Sequence, residues 1–242
     1  MRLRGLRVAE FSATRILEDA LEAYSEAKPR SQQAAIGPSA IYSCRRQVYH
    51  QIKGSLKTNL ATNFLPSLMG NAIHSMVETA MGKEFSQDIF GDDFEKEIPV
   101  EYNGLLGHVD LYIHSKRAVV DWKTSTKSKL VGKRFPWPPV QYIAQVHVYG
   151  YLLKMVKGYE VETVKLVGIP RDGGLQDIVE WTEDYDEEKA LAGIRWIDEQ
   201  YLNAEAGLVP EPEKNVSFCR GYCPFFDESG EIGCPGLLKG GY

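Results

Sequence analysis

The apolar positions change period several times along the chain. Ile16, Leu17, Ala20, Leu21 and Tyr24 recur at helical spacing and predict a helix over residues 14–27. Pro29, Gly37 and Pro38 mark 28–40 as a loop, and Ser39 is placed to cap a short helix through Tyr49 that carries Cys44. A helix is expected over 67–84, with Leu68, Met69, Ala72, Ile73, Met76, Val77 and Ala80 on a broad apolar face. Strand signals follow at 94–102, 105–114 and 117–123. Pro138 and Pro139 precede a helix to about Lys157, since proline suits a first turn. Strands are expected at 161–169 and 176–182, and a last long helix at 185–205. The tail from Gly207 is rich in Gly, Pro and Cys and predicts little regular structure. Helices, a strand meander, a crossover helix and further strands together predict an α/β fold: a mixed central sheet flanked by helices. The expected division is an N-terminal helical region over 1–66, a core over 67–206 and a cysteine-rich tail over 207–242.

A length of 242 residues, 43% hydrophobic and 25% charged, excludes wholesale disorder and a membrane-embedded body. The basic N-terminus lacks the apolar stretch of a secretory signal, so the expectation is a cytoplasmic protein. A net charge of −5 argues mildly against nucleic acid, but the distribution does not. Residues 1–57 hold ten basic and five acidic side chains, whereas 176–205 hold ten acidic and two basic ones. Lys123, Lys127, Lys129, Lys133 and Arg134 form an acid-free run, and a phosphate backbone responds to such a local field.

The stretch LLGHVDLYIHSKRAVVDWK carries the most chemistry. Alternation puts His108, Asp110, Tyr112 and His114 on one face of the first strand, and Val119, Asp121 and Lys123 on one face of the second. A two- or four-residue loop around Ser115–Lys116 pairs positions whose numbers sum to 231, which sets Asp110 opposite Asp121 with Cβ atoms about 4.5–5.5 Å apart. A three-residue loop would break that register. Opposed like charges are unfavourable unless a cation lies between them, and Mg²⁺ and Mn²⁺ prefer such oxygen ligands. Lys123 beside a metal has a role in orienting water or stabilising charge on a phosphate. On the helix before this hairpin, Gly70 and His74 stand four apart, with Glu78 a turn further on. On the helix after it, Gln141, Gln145 and Tyr149 form a polar stripe beside Ala144, Val148 and Leu152.

The order GxxxH, Asp, DxK, QxxxY resembles the PD-(D/E)XK nuclease superfamily and, within it, the RecB-like exonucleases. The matching residues are Gly70 and His74, Gly107 and Asp110, Asp121 and Lys123, and Gln145 and Tyr149. Asp121 stands where Glu or Asp occurs in that pattern. The resemblance implies a restriction-endonuclease-like core and a metal-dependent DNA exonuclease acting on single strands or DNA ends, in recombination, repair, phage DNA metabolism or CRISPR adaptation. It implies that His74, Asp110, Asp121 and the carbonyl of Trp122 bind Mg²⁺ or Mn²⁺. Lys123 then serves catalysis, and Gln145 and Tyr149 contact DNA or brace the site. Lys127, Lys129, Lys133 and Arg134 are expected along the DNA path. Recombination or CRISPR-adaptation proteins are the implied partners. A non-catalytic DNA-end-binding adaptor and an endonuclease are the alternatives.

Cys44 stands far from the compact triplet Cys219, Cys223 and Cys234. One distant thiol and a triplet make a four-thiolate site that ties the tail to the N-terminal region, suited to an Fe–S cluster or to structural Zn²⁺. One cysteine before the nuclease motifs and three after them resembles the iron-staple arrangement of CRISPR-associated RecB-like exonucleases, which implies [4Fe–4S].

Overall fold

A computed structural model describes residues 36–59, 65–82, 93–132 and 136–237, together with Thr14, Leu17, Ala20, Leu21, Ala23 and Tyr24, all six of which are helical. Lys133 and Arg134 lie outside the described residues. The chain divides into two compact units, residues 1–33 and 34–242. No helix among the described residues is long and apolar enough to cross a membrane.

Among the described residues of the larger unit, the α-helices are α1 (Arg45–Ile52), α2 (Leu65–Ala80), α3 (Lys127–Val131), α4 (Val140–Lys157), α5 (Glu187–Glu205) and α6 (Val216–Tyr222). The strands are β1 (Phe94–Tyr102), β2 (Leu105–Ile113), β3 (Ala118–Ser125), β4 (Thr163–Pro170) and β5 (Val179–Asp184). They form one mixed sheet in the order β1-β2-β3-β4-β5. All pairs are antiparallel except β3–β4, which is parallel and joined through α4. A parallel pair needs such a crossover.

Strand β4 shows why one sheet face is covered. Val164, Leu166, Gly168 and Pro170 are buried, while the residues between them are only partly so. Val119 and Asp121 of β3 lie beside Val164 and Leu166 and share that face. Against it packs α4, whose Ala144, Val148, Tyr149 and Leu152 join Val119, Val164 and Leu166 in the main core. Helix α4 is buried on several sides because α5 packs on it in turn. It ends at Gly158, where φ is 71° and the Gly158 N–H donates to Lys154 O at 3.1 Å. Asp186 caps α5, its carboxylate accepting from Glu188 N at 2.9 Å and Lys189 N at 3.3 Å.

Three expectations change. Ser39 does not cap the short helix expected through Tyr49: residues Pro38–Ala40 make a single 3₁₀ turn, and Cys44 is itself the N-cap of α1. The apolar face of α2 is not a buried stripe; Met69 and Met76 are 47% and 61% exposed, and among its residues Leu68 is buried. The tail is not featureless. It contains α6, with Asn215 accepting from Phe218 N at 2.9 Å, and a small core of Cys219, Cys223, Phe225 and Phe226.

Candidate active site

The β2–β3 loop is four residues long, 114–117, with Arg117 in the left-handed region at φ 45°. Its pairs Ile113↔Ala118, Tyr112↔Val119 and Leu111↔Val120 all sum to 231, the expected register. The ladder stops there. The next position on each strand is Asp110 and Asp121, and Trp122 N–H donates instead to Asp110 Oδ2 at 2.7 Å. A side-chain carboxyl thus replaces the backbone carbonyl where the strands part, and it is buried in the interior.

Strand β1 parts from β2 at the same level. The β1–β2 pairs sum to 207 on both sides of a gap at Glu97 and Asp110, and Glu97 takes φ 48°. Beyond the gap the facing shifts. Gly107 and Val109 meet the α4 side, as Asp110 and Tyr112 do, while His108 is exposed. His108 therefore does not share a face with Asp110, because simple alternation fails at this irregularity.

Asp110 and Asp121 are 7% and 2% exposed. Burial first, and then the Asp121 charge, hold the Asp110 carboxyl well above the usual carboxylate range; Glu97 adds to the same effect. His74 of α2 brings Nδ1 to 3.7 Å from Asp110 Oδ2. Lys123 Nζ stands 2.7 Å from Asp121 Oδ2 as an ion pair, though not at hydrogen-bonding angles. Gln145 Nε2 donates to Asp121 Oδ1 at 3.4 Å and to Tyr149 Oη at 3.3 Å. Gln145 and Tyr149 are 4% and 7% exposed, so they brace Asp121 from within rather than presenting a face to a ligand. Gln141 lies apart, donating to Tyr42 O at 3.3 Å.

The motif glycines have steric reasons. A Cβ on Gly107 would stand 2.8 Å from Tyr149 Cε1 and 3.3 Å from Pro38 Cδ. A Cβ on Gly70 would lie 3.2 Å from Thr124 Oγ1, one residue beyond Lys123. Bare backbone at these points lets the brace and α2 approach the site.

Sequence reasoning missed Glu97, although a signal was present. Asn103 and Gly104 both take positive φ, at 50° and 80°, and Asn-Gly is the strongest tight-turn pair. A two-residue turn there fixes Tyr102↔Leu105, and counting back sets Glu97 opposite Asp110.

The basic run is acid-free in sequence but not in space. Lys127 Nζ pairs with Asp177 Oδ1 at 2.7 Å, and its N–H donates to Asp172 Oδ1 at 2.6 Å. Lys129 is exposed, with no ion pair among the described residues.

The four cysteines are free and buried. Burial raises the Cys223 thiol to about 11, and the charges of Cys219, Cys234 and Cys44 push it the same way. Cys219 is likewise raised by burial, then by Cys234 and Cys44. Gly236, at φ 71°, donates its N–H to Cys234 Sγ at 3.4 Å. Protein groups also lace the tail to residues 45–59. Asn59 Nδ2 reaches the carbonyls of Cys219, Arg220 and Cys223 at 3.3, 2.9 and 3.0 Å. Thr58 Oγ1 donates to Phe226 O at 2.9 Å, and His50 stacks on Phe225 at 5.4 Å.

Both donor sets suit a bound group. Asp121 Oδ2 is buried without a hydrogen-bond donor, beside a second buried carboxylate, which is the chemistry of a hard-cation site. Four free, buried thiols, with Cys219 and Cys223 held above the usual thiol range by burial and by the neighbouring cysteines, suit a thiolate-bound metal, which displaces their protons. Among the described residues, no group of three or more His, Cys, Asp or Glu side chains stands arranged to hold a metal ion, so the fit is one of donor chemistry and not of geometry.

No family model and no curated protein matches the chain. Solved structures do. The crystal structure of SSO0001 superposes with a TM-score of 0.52 at 20% identity, covering 89% of this chain and 95% of that one. The chain therefore shares the SSO0001 fold. An alkaline exonuclease, LHK-Exo from Laribacter hongkongensis, gives a TM-score of 0.49 at 10% identity over 74% of this chain and 92% of that one. A phage-related exonuclease from Haemophilus somnus 129PT gives 0.41 at 16% identity over 67% and 78%.

Proposed function

We propose that the chain is a divalent-metal-dependent deoxyribonuclease, an exonuclease that hydrolyses phosphodiester bonds in single-stranded DNA or at DNA ends. The observation that carries this reading is the buried pair Asp110 and Asp121, set opposite each other where two ladders open, with Lys123 against Asp121. Two buried like charges are a liability in a purely structural hairpin. They are an asset where Mg²⁺ or Mn²⁺ binds. Asp110, Asp121 and His74 would hold the ion, with the Trp122 carbonyl beside them. A bound ion supplies an activated water and stabilises charge on the scissile phosphate.

The chain's own residues do the rest. Asp110 fixes the β3 backbone through Trp122 N–H, which orients the neighbouring carbonyl. Gln145, backed by Tyr149, holds one oxygen of Asp121 and leaves the other toward the site. Lys123 presents an ammonium to the phosphoryl oxygens as charge develops on them. In the tail, Cys44, Cys219, Cys223 and Cys234 would hold a [4Fe–4S] cluster, or structural Zn²⁺ in its place, and act as a staple rather than in the chemistry.

The test is incubation of end-labelled single- and double-stranded DNA with Mg²⁺, Mn²⁺ or EDTA. A ladder from one end, abolished by EDTA and by Asp121→Asn, is expected. Lys123→Ala should retain metal binding and lose about 10²–10³ in turnover. Wild-type cleavage by Asp121→Asn overturns the site. Binding of ends with no cleavage under either metal assigns an adaptor, and cutting of closed circles an endonuclease.

A further inference from the structure

Beside Lys123 stands an aromatic pair that the metal chemistry does not require. Lys123 Nζ lies 5.0 Å from the centroid of the Tyr142 ring. Trp137 packs edge-on to Tyr142, with centroids 5.8 Å apart and planes at 69°. Both rings are half-buried, unlike Gln145 and Tyr149 one turn and two turns further along the same helix.

The place for the indole is built into the sheet. Gly168 pairs with Lys123 across β3 and β4. A Cβ there would meet Trp137 Cζ2 at 2.9 Å and Leu130 Cδ2 at 2.7 Å, so only bare backbone admits the ring. Trp137 Nε1 is buried with no hydrogen-bond partner. A plug serving packing alone would avoid that cost as Phe or Leu, so the large ring face itself has a use.

We infer that Tyr142, backed by Trp137, is a base-stacking wall that receives one unpaired nucleobase next to the scissile phosphate. This rests on the nuclease reading of the Asp110–Asp121 site. Single-strand binders combine cations that follow the backbone with aromatic faces that take the bases. Here Lys123 and the exposed Lys129 supply the first and Tyr142 with Trp137 the second. In a duplex both faces of an interior base are already stacked, so the wall selects a frayed or single-stranded nucleotide. Tyr142 and Trp137 are therefore positioning residues: they set which phosphate faces Lys123.

The experiment uses the intact protein and short single-stranded DNA carrying 2-aminopurine at each position in turn, in EDTA so that nothing is cut. Fluorescence quenching confined to one or two adjacent positions is expected. An abasic nucleotide at that position should weaken wild-type binding about tenfold, the scale of one base–aromatic stack. Tyr142→Phe should keep both effects. Tyr142→Ala should lose the quenching and bind intact and abasic strands alike. Equal wild-type affinity for intact and abasic strands overturns the wall without any variant having to fold. A Tyr142→Ala defect that leaves the abasic penalty intact also overturns it, and assigns the ring to holding Lys123. The same strands with Mg²⁺ or Mn²⁺ separate the two readings. Stacking without cleavage sinks the nuclease and keeps the wall, and cleavage without position-specific quenching does the reverse.

Discussion

Asp110 concentrates the conflict between stability and function in one side chain. Its carboxyl is buried, faces Asp121 and has its pKa raised. A carboxyl that binds protons more tightly folded than unfolded stabilises the fold below its unfolded pKa, near 3.8, and that contribution is lost as pH rises through the folded value. Ionising this carboxyl therefore costs more in the folded, metal-free protein than in the unfolded chain. Asp110→Asn should raise the metal-free melting temperature at pH 7, because Asn keeps an oxygen for Trp122 N–H and removes the charge. It should also abolish the stabilisation that Mg²⁺ or Mn²⁺ gives the wild type. A lower metal-free melting temperature for Asp110→Asn would show that the charge is already neutralised within the protein. At this scale residue type singled out Asp110, Asp121, Lys123 and the cysteines, side chains that the fold brings together in two groups. It was silent on Trp137 and Tyr142, because an aromatic residue reads the same whether it fills a core or flanks a site.

At the scale of elements, the β2–β3 register was legible because the facing apolar runs and a four-residue loop permit one pairing. The local break at Asp110 was not. Alternation assumes an unbroken ladder, and here Glu97 at positive φ and the Asp110–Trp122 bond interrupt two ladders together. Helix α4 shows the complementary failure. Gln145 and Tyr149 look like a polar edge, yet burial by α5 on one side and the sheet on the other makes them internal struts. Their fit depends on Gly107. Gly107→Ala should cost about 1–3 kcal/mol through overpacking against Tyr149 and Pro38. It should also reduce cleavage at temperatures where the variant remains folded, since the Tyr149–Gln145–Asp121 chain shifts with the ring. A variant that loses stability but keeps wild-type turnover would show that the brace is merely structural.

Helix α4 also ties the sheet to α5 through His147. This imidazole is fully buried and accepts the Asp186 N–H on Nδ1 at 3.1 Å, next to the α5 cap. Burial, and then Lys189, lower its pKa to about 4. Between about pH 6.5 and 4 the unfolded chain therefore binds a proton that the folded one does not. His147 is compatible with full stability above that window, and stability falls as pH drops through it, with a slope of up to about 1.4 kcal/mol per pH unit for one proton. Chemical denaturation at a series of pH values should show this slope. His147→Gln, which keeps an acceptor for Asp186 N–H, should flatten it by one proton. An unchanged slope would place the acid sensitivity elsewhere.

For the whole molecule, the question is what holds the two ends of the larger unit together. The sequence pointed to Cys44 and the tail triplet as the tie between the tail and the N-terminal region. Burial of Phe225 and Phe226 and the reach of Thr58 and Asn59 were not legible, because single polar residues in a loop carry no periodic signal. Hydrogen bonds and ring burial thus make an attachment of their own. Asn59 meets three carbonyls at the end of α6, a role that side chains fill at helix termini. Arg45 holds Glu213 at 2.6 Å ahead of that helix. Thiolate–metal bonds would add a second layer between the same partners. Removing either layer alone should loosen the tail without releasing it, and removing both should release it. Hydrogen exchange over residues 210–237 reads this directly. Cys219→Ser and Asn59→Ala should each raise exchange there while leaving β3 and α4 protected, and the double variant should exchange more than the two effects combined. Protein prepared without oxygen should contain iron and sulfide in near-equal amounts and lose them with Cys219→Ser. Stoichiometric zinc without iron would replace the cluster and keep the staple. Disulfides among the four cysteines would remove the metal layer altogether, and Asn59→Ala alone would then decide how far the hydrogen-bonded layer holds the tail.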